Sequence, residues 1–167
     1  MNGKLNVYGD TRNVLSVGRG SDISSQRIDE LDKAATEHAA KHEHSGLFLD
    51  LGCGIPVQTA RFALLGKKVI AVDRHDFSSQ FELMRSLFPF VDIKFLNKQL
   101  ENLADSDIIF PVSCIFSQRT MHYLHPHKAN QLISWLRKKS EPGCKCFVSV
   151  SGIDSELGHG YDGRTIE

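Results

Sequence analysis

The sequence predicts an α/β fold in which a mostly parallel sheet lies between helices on both faces. Five short apolar segments alternate with helical segments along the chain. Neighbouring parallel strands need a crossover connection, which is usually a helix, so this alternation predicts a parallel sheet. The strand segments are also nearly all apolar, as expected for strands buried on both faces.

Residues 1–45 are predicted to form a polar, irregular arm followed by one helix. In "SSQRIDELDKAATEHAAKHEHSG" the residues of one face recur at steps of three and four, the spacing of an amphipathic helix. These residues are Ile28, Leu31, Ala35, Ala39 and His42. Ser24 or Ser25 is expected to cap the start of this helix, and Gly46 to end it.

Strands and helices alternate from residue 47 onward. The predicted strands are "LFLDL", "KVIAVD", "VDIKFL", "VSCIFSQ" and "KCFVSVSG", and "EPGC" is predicted to be a turn before the last of them. The predicted helices are "PVQTARFALLG", "FSSQFELMRSLFPF" and "PHKANQLISWLRKK". Pro56 and Pro126 suit a first helical turn, and Pro89 stops the second helix. We expect a single domain over 1–167, with its core at 46–152 and a polar tail at 153–167.

The composition argues against several functional classes. The formal net charge is zero and the pI is about 7.1, so the basic patch typical of a nucleic-acid-binding protein is not indicated. No apolar run approaches the roughly 20 residues that span a bilayer, and the N-terminus lacks the apolar stretch of a secretory signal. We expect a cytoplasmic protein whose four cysteines are reduced thiols.

The candidate binding residues follow the first two strands. The first strand contains Asp50 and runs into Gly52-Cys53-Gly54, where glycine allows a sharp turn and a close approach to a ligand. The second strand ends in Asp73, and an acid at this place can accept both hydroxyls of a ribose. The carboxyl ends of parallel strands are where ligands bind, so the pattern predicts a nucleoside site. Asp73 could instead cap the following turn.

Two nucleoside ligands compete for this geometry. A dinucleotide needs G-x-G-x-x-G, and Val57 stands in place of the third glycine. S-adenosylmethionine has a ribose and an adenine but no phosphate, and Asp50 lies at the strand end that can help orient its ammonium group. A dinucleotide oxidoreductase is therefore disfavoured.

"FLDLGCG" followed by "VIAVD" resembles the first two motifs of the class I S-adenosylmethionine-dependent methyltransferases. The resemblance continues through "FLNKQLENL" and "VSCIFSQRTMHYL" to "EPGCKCFVSVSG", over about residues 47–152. It implies a Rossmann-like three-layer sandwich with strand order 3-2-1-4-5. It also implies S-adenosylmethionine as cofactor, with Gly52, Cys53 and Gly54 along its methionine part and Asp73 on its ribose hydroxyls.

The same resemblance implies further cofactor contacts. Arg74 would lie beside the adenine, and Gln99 and Leu100 near its amino group. Ser117 and Gln118 would lie under the sulfonium, and Arg19 could reach the carboxylate from the N-terminal arm. Pro56 departs from the family, because many members carry another glycine there.

A second departure concerns the C-terminus. The family fold continues past the fifth strand with a helix and an antiparallel hairpin, and the chain ends about 15 residues after Gly152. The hairpin is therefore expected to be missing. The fifth strand would then be an apolar sheet edge without charges to prevent pairing. We expect another chain, a second copy or a different partner, or the tail to cover it; equally, the sequence could be a fragment of a longer protein.

The chemistry implied is methyl transfer by in-line displacement, for which alignment is the main requirement. His122 and Tyr123 follow the fourth strand, and His122 could take a proton from the acceptor. Both residues could instead serve packing alone.

The "HPH" at 125–127 is interpreted as a helix start, because a third metal ligand is missing nearby. His38, His42 and His44 are interpreted as residues of a solvated helix end.

Two functions are therefore weighed. The first is methyl transfer to an unidentified small-molecule acceptor, without a metal and without contact to a membrane. The second is a catalytically inactive methyltransferase-like subunit that binds a partner through its fifth strand.

Overall fold

The structure is a computed structural model that describes residues 28–41 and 46–150. The helices are α1 Glu30–Lys41, α2 Val57–Leu64, α3 Ser78–Leu87 and α4 Pro126–Lys139. The strands are β1 Leu47–Leu51, β2 Val69–Asp73, β3 Ile93–Asn97, β4 Val112–Gln118 and β5 Ser140–Ser149. Two short 3-10 helices, Leu100–Asn102 and Met121–Tyr123, follow β3 and β4.

The five strands form one sheet in the order β3-β2-β1-β4-β5, and every pairing is parallel. This confirms the predicted fold class and strand order. β1 lies at the centre, and all five of its residues are buried. The carboxyl ends of β1 and β2 are therefore neighbours, which brings the residues after β1 next to Asp73.

Each face of the sheet is covered by helices. On one face, Phe48 of β1 packs in a cluster with Ala35 of α1, Phe62 of α2 and Phe81 of α3. On the other face, Leu49 and Leu51 of β1 pack with the buried side of α4 and with the 3-10 helix after β3. The residues that these two helices contribute are Leu132 and Leu136 of α4 and Leu100 of the 3-10 helix. The chain thus forms three layers around a buried central strand.

The start of α1 differs from the prediction. The helix begins at Glu30, and its cap is Asp29, whose Oδ1 accepts from the backbone N–H groups of Leu31 (2.9 Å) and Asp32 (3.2 Å). A reciprocal hydrogen bond runs from the backbone N–H of Asp29 to Oδ2 of Asp32, at 2.9 Å. This is a capping box built from two acids. Ser24 and Ser25 lie outside the described residues, as do Arg19, His42 and His44.

The fifth strand is longer than predicted, and "EPGC" is part of it rather than a turn before it. The pairing of β4 with β5 jumps from Val112↔Ser140 to Cys114↔Lys145, so extra residues of β5 bulge out of the ladder. Gly143 lies in this bulged segment and has φ +89°, a backbone conformation that glycine adopts without strain. In the part of the chain that the structure describes, β5 is one of the two outer strands of the sheet, and β3 is the other.

Two interpretations of the histidines can be compared with the structure. Nδ1 of His125 accepts from the N–H of His127 at 3.3 Å, so "HPH" begins α4 as interpreted from the sequence. His38 does not lie on a fully solvated face, because its ring centroid is 5.6 Å from that of Phe147. Contact between α1 and β5 explains the difference.

All four cysteines are free thiols. Burial, helped by the neighbouring cysteines, raises the pKa of Cys114 to about 12.

Within the described ranges, no helix has both the length and the apolar character needed to cross a membrane.

Candidate functional site

The glycine bend after β1 lies directly against the carboxylate at the end of β2. The backbone N–H groups of Gly52 and Cys53 both donate to the carbonyl of Val72, at 2.8 and 3.1 Å. One residue further on, the N–H of Gly54 donates to Oδ2 of Asp73 at 2.9 Å. The bend and the carboxylate therefore form one surface at the carboxyl edge of the sheet.

Asp73 is held at both of its carboxylate oxygens. In addition to the Gly54 contact, Oδ1 accepts from the N–H of His75 at 2.8 Å, so the side chain also caps the turn after β2. An ionised carboxylate has about four lone-pair sites. Each oxygen of Asp73 therefore has capacity for a second donor, and the side chain is half-buried rather than enclosed. Capping the turn and binding a diol are compatible.

Thr120, which the sequence analysis missed, folds over the glycine bend from the loop after β4. Its Oγ1 donates to the carbonyl of Gln118 at 3.0 Å and lies 3.5 Å from the carbonyl of Gly52. Arg119 makes this possible by adopting φ +51°, an unusual value for a residue with a side chain. The N–H of Arg119 in turn donates to the carbonyl of Ser149 at 3.0 Å. The loop is thus anchored to both the central bend and β5.

Asp50 lies under this bend and is only 2% exposed. Burial raises its pKa to about 7, although the hydroxyl of Thr59 donates to Oδ2 at 2.6 Å and favours the charged form. The charges of Asp73 and Asp32 raise the pKa further. Thr59 was not identified from the sequence, because a threonine inside an amphipathic helix gives no signal of a buried acid beside it.

Cys53 is the side chain between the two glycines. Burial, and secondarily the charges of Asp50 and Asp73, raise the pKa of its thiol well above the usual value. The thiol is therefore protonated at neutral pH and contributes packing rather than nucleophilic chemistry.

The residues predicted for the adenine side lie around the ends of β2 and β3. Arg74 and Gln99 are exposed, whereas Leu100 is only 6% exposed and packs into the core beneath them. Asn97, which the sequence analysis missed, joins the two strand ends because its Nδ2 donates to the carbonyls of Asp73 (3.3 Å) and Arg74 (3.0 Å).

The end of β4 places Ser117 and Gln118 on the other side of the bend. Ser117 is buried, and its hydroxyl donates to the carbonyl of Leu51 at 3.1 Å. Gln118 donates through Nε2 to Oδ2 of Asp29 at 2.7 Å and to Oδ2 of Asp32 at 3.1 Å. The two acids were missed, although Asp-x-x-Asp at a helix start is a capping signal that could have marked them.

His122 and Tyr123 lie in the 3-10 helix after β4, with ring centroids 4.1 Å apart. Burial, and then the charge of Arg119, lower the pKa of His122. Its imidazole is therefore neutral at physiological pH and can accept a proton. Tyr123 is 39% exposed. Nowhere in 28–41 or 46–150 do three His, Cys, Asp or Glu side chains lie close enough together to hold a metal ion.

No protein-family model matches the sequence, and no curated protein sequence matches it either. Solved structures do match. The CcbJ methyltransferase from Streptomyces caelestis superposes with a TM-score of 0.62 at 18% identity, over 77% of this chain and 54% of its own. An rRNA methylase from Streptococcus thermophilus gives 0.61 at 18% identity, over 82% of this chain and 80% of its own.

The chain has the class I methyltransferase fold. The glycopeptide N-methyltransferase MtfA, complexed with S-adenosyl-L-homocysteine, shares this fold with a TM-score of 0.52 at 19% identity. The match covers 70% of this chain and 47% of MtfA, so the chain spans about half of that methyltransferase. MtfA has also been solved with sinefungin and with S-adenosyl-L-methionine.

Proposed function

We propose that this chain is an S-adenosylmethionine-dependent methyltransferase that acts on a small-molecule acceptor. The observation that carries the proposal is the 2.9 Å hydrogen bond from Gly54 N–H to Asp73 Oδ2. It joins a glycine bend and a carboxylate at the carboxyl ends of two central parallel strands, where α/β sheets bind nucleosides. The methyltransferase fold of the chain supports the same ligand.

The residues present fit an adenosyl group. Asp73 keeps acceptor capacity on both carboxylate oxygens, which matches the two hydroxyls of a ribose. Gly52, Cys53 and Gly54 would lie along the methionine part, with Asp50 supporting them from below. The three MtfA complexes support S-adenosylmethionine as the ligand, because they hold this cofactor, its demethylated product and sinefungin.

Other residues would complete the cofactor site. Arg74, Gln99 and Leu100 would hold the adenine. Ser117 and Gln118 would hold the sulfonium end. We propose Arg19 as a ligand of the cofactor's carboxylate, on the grounds of its charge alone.

When bound, the cofactor supplies a methyl carbon that is already activated by its sulfonium. The chain has to align the acceptor with that carbon, and alignment alone can lower a barrier by roughly 7–11 kcal/mol. His122 would take the proton that the acceptor loses, because its lowered pKa keeps the imidazole neutral. Tyr123, whose ring lies next to that of His122, would help to position it.

The small-molecule acceptor is proposed on the grounds of charge. A chain with zero formal net charge attracts phosphate groups weakly, and those groups provide most of the affinity for nucleic acid. The match to a glycopeptide N-methyltransferase is compatible with this choice, and the match to an rRNA methylase keeps RNA as the alternative outcome.

Isothermal titration with S-adenosylmethionine and S-adenosylhomocysteine tests the proposal. The wild-type chain should bind both, and Asp73→Asn should weaken binding roughly ten-fold or more, because hydrogen bonds to a charged group are lost. Asp76→Asn is the matched control, since Asp76 is an exposed acid in the same turn. If the wild-type chain gives neither heat nor thermal stabilisation with either ligand, the proposal is wrong.

A second candidate function is a non-catalytic subunit that binds a partner through β5. It is favoured by the exposure of this outer strand, where Val148 is 43% exposed. Methyl transfer by the purified chain alone would exclude it. A shift from monomer to complex that Val148→Lys abolishes would support it.

A further inference from the structure

We propose that Asp29 and Asp32 are positioning residues that fix the side-chain amide of Gln118 with its oxygen toward the sulfonium end of the cofactor. The inference rests on the proposed function, in which Gln118 lies at that end. It assigns a role to the start of α1, which lies 89 positions before Gln118 in the chain.

The contact between α1 and β4 is made by one amide nitrogen and two carboxylates. Nε2 of Gln118 lies 2.7 Å from Oδ2 of Asp29 and 3.1 Å from Oδ2 of Asp32. Asp32 is only 3% exposed, and Gln118 is half-buried. The amide is therefore held in a protected position by two partners.

The chemistry of these partners fixes which way the amide points. Ionised carboxylates only accept hydrogen bonds, so the NH₂ group of Gln118 must face them. Both of its N–H bonds are then used, one toward each acid. Oε1 is the atom of this amide that remains to meet a ligand, and an amide oxygen carries partial negative charge.

Helix capping alone does not explain this arrangement. Oδ1 of Asp29 already caps α1, and it is the second oxygen that accepts from Gln118. Asp32 is held in turn by Arg61 of α2, with Nη1 of Arg61 3.5 Å from Oδ1. Arg61 also donates to Oε1 of Gln58 at 2.7 Å, so the acid pair is braced from the helix that follows the glycine bend.

An amide oxygen at the sulfonium end discriminates between two ligands that differ in one charge. S-adenosylmethionine carries a positive sulfonium, and S-adenosylhomocysteine carries a neutral thioether. An oxygen there favours the cation, whereas a reversed amide would present N–H groups and disfavour it. The ratio of the two dissociation constants therefore reports the orientation of Gln118.

Asp29→Asn changes this orientation with little other disturbance. Asparagine is as good a helix cap as aspartate, and its carboxamide can place an NH₂ group against that of Gln118, which drives the amide to turn. Titrations should be made at pH 8, well above the ordinary pKa of an aspartate, because burial raises the pKa of Asp32. We expect affinity for S-adenosylmethionine to fall about three- to ten-fold relative to that for S-adenosylhomocysteine.

Glu30→Gln is the matched control, because Glu30 is the residue after Asp29 and the change removes the same charge. The Glu30 side chain is exposed and pairs with Lys33. Its ratio should equal that of the wild type. Gln118→Leu is the second variant, and it should shift the ratio in the same direction by removing the amide oxygen. Melting temperatures of all variants check that they fold.

The outcomes separate the two proposals. A wild-type chain that binds neither ligand refutes the proposed function. A wild-type chain that binds both, with the same ratio in Asp29→Asn and Gln118→Leu, leaves that function standing and refutes the positioning role. An equal shift in Glu30→Gln also refutes it, because the effect would then be general electrostatics.

Discussion

Gly52 and Thr120 are packed so closely that a Cβ atom added at Gly52 would lie 2.1 Å from Oγ1 of Thr120. Gly52 also has φ +73°, a conformation that side chains rarely adopt. The bend after β1 and the loop after β4 therefore depend on the absence of a side chain at this position.

The first prediction concerns this contact. Gly52→Ala should lower the free energy of unfolding by about 2–4 kcal/mol, because backbone strain and overpacking add. Gly66→Ala separates the two causes, since Gly66 has φ +77° but nothing within 4 Å of an added Cβ. It should cost only about 1–2 kcal/mol. Urea denaturation of both variants measures the difference, and equal losses would show that Thr120 moves aside freely.

The second prediction concerns the pH dependence of stability. Burial raises the pKa of Asp50 to about 7, above its value in the unfolded chain. The folded state then holds a proton that the unfolded state has lost, so the free energy of unfolding falls as the pH rises from about 4 to about 7. Asp50→Asn removes the titrating group, so the variant should not show this fall in the free energy of unfolding. Its stability relative to the wild type should increase by about 2–3 kcal/mol between pH 5 and pH 8.

Denaturation curves for both proteins at pH 5, 6, 7 and 8 measure this effect. Asp105→Asn is the control: Asp105 is exposed, and its contacts with Lys139 and Trp135 lower its pKa. Its effect on stability should change only in the acid range. A constant difference between Asp50→Asn and the wild type from pH 5 to pH 8 would mean that Asp50 has an ordinary pKa.

The third prediction concerns the donor that supports Asp50. Thr59→Val keeps the shape of the side chain but removes the hydroxyl that donates to Oδ2 at 2.6 Å. The free energy of unfolding should fall by about 1–3 kcal/mol at pH 8, where the carboxylate is charged, and by less at pH 5. Ser86→Ala, which removes an exposed hydroxyl on α3, serves as control. A loss that is independent of pH would show that Thr59 acts by packing alone.

The fourth prediction concerns thiol reactivity. Alkylation at pH 8 should modify Cys146 before Cys53 and Cys114. Burial raises the pKa of all three thiols, but Cys146 is exposed, whereas the pKa of Cys53 is raised well above its usual value and that of Cys114 to about 12. Mass spectrometry of peptides after short exposures gives the order. In denaturant all four cysteines should react at similar rates. Early modification of Cys53 in the native chain would contradict the raised pKa of its thiol.

The strands, the helices between them and the proximity of the glycine bend to Asp73 follow from local patterns. Alternating apolar segments predict a parallel sheet, and the ends of neighbouring strands must meet. The start of α1 was misplaced because serines and aspartates are both good caps, and only the fold decides which one is used. The β5 bulge was missed because Pro-Gly is a turn signal that a bulge also satisfies.

Contacts between distant segments could not be predicted in the same way. The bond between Gln118 and Asp29 joins residues 89 positions apart, and nothing in either segment identifies the other. Thr120 lies near Gly52 in a loop where Arg119 adopts an unusual backbone conformation, which its residue type does not indicate. Long-range polar contacts depend on the packed structure and not on local sequence.

The position of β1 at the centre of the sheet also limits the order of events during synthesis on the ribosome. β1 pairs on one side with β2, which follows shortly, and on the other with β4, which emerges more than sixty residues later. The edge of β1 that faces β4 therefore stays unpaired until translation has passed residue 118. In a nascent chain the flank of β1 that later pairs with β4 would be exposed to chaperones before Thr120 could close over the glycine bend.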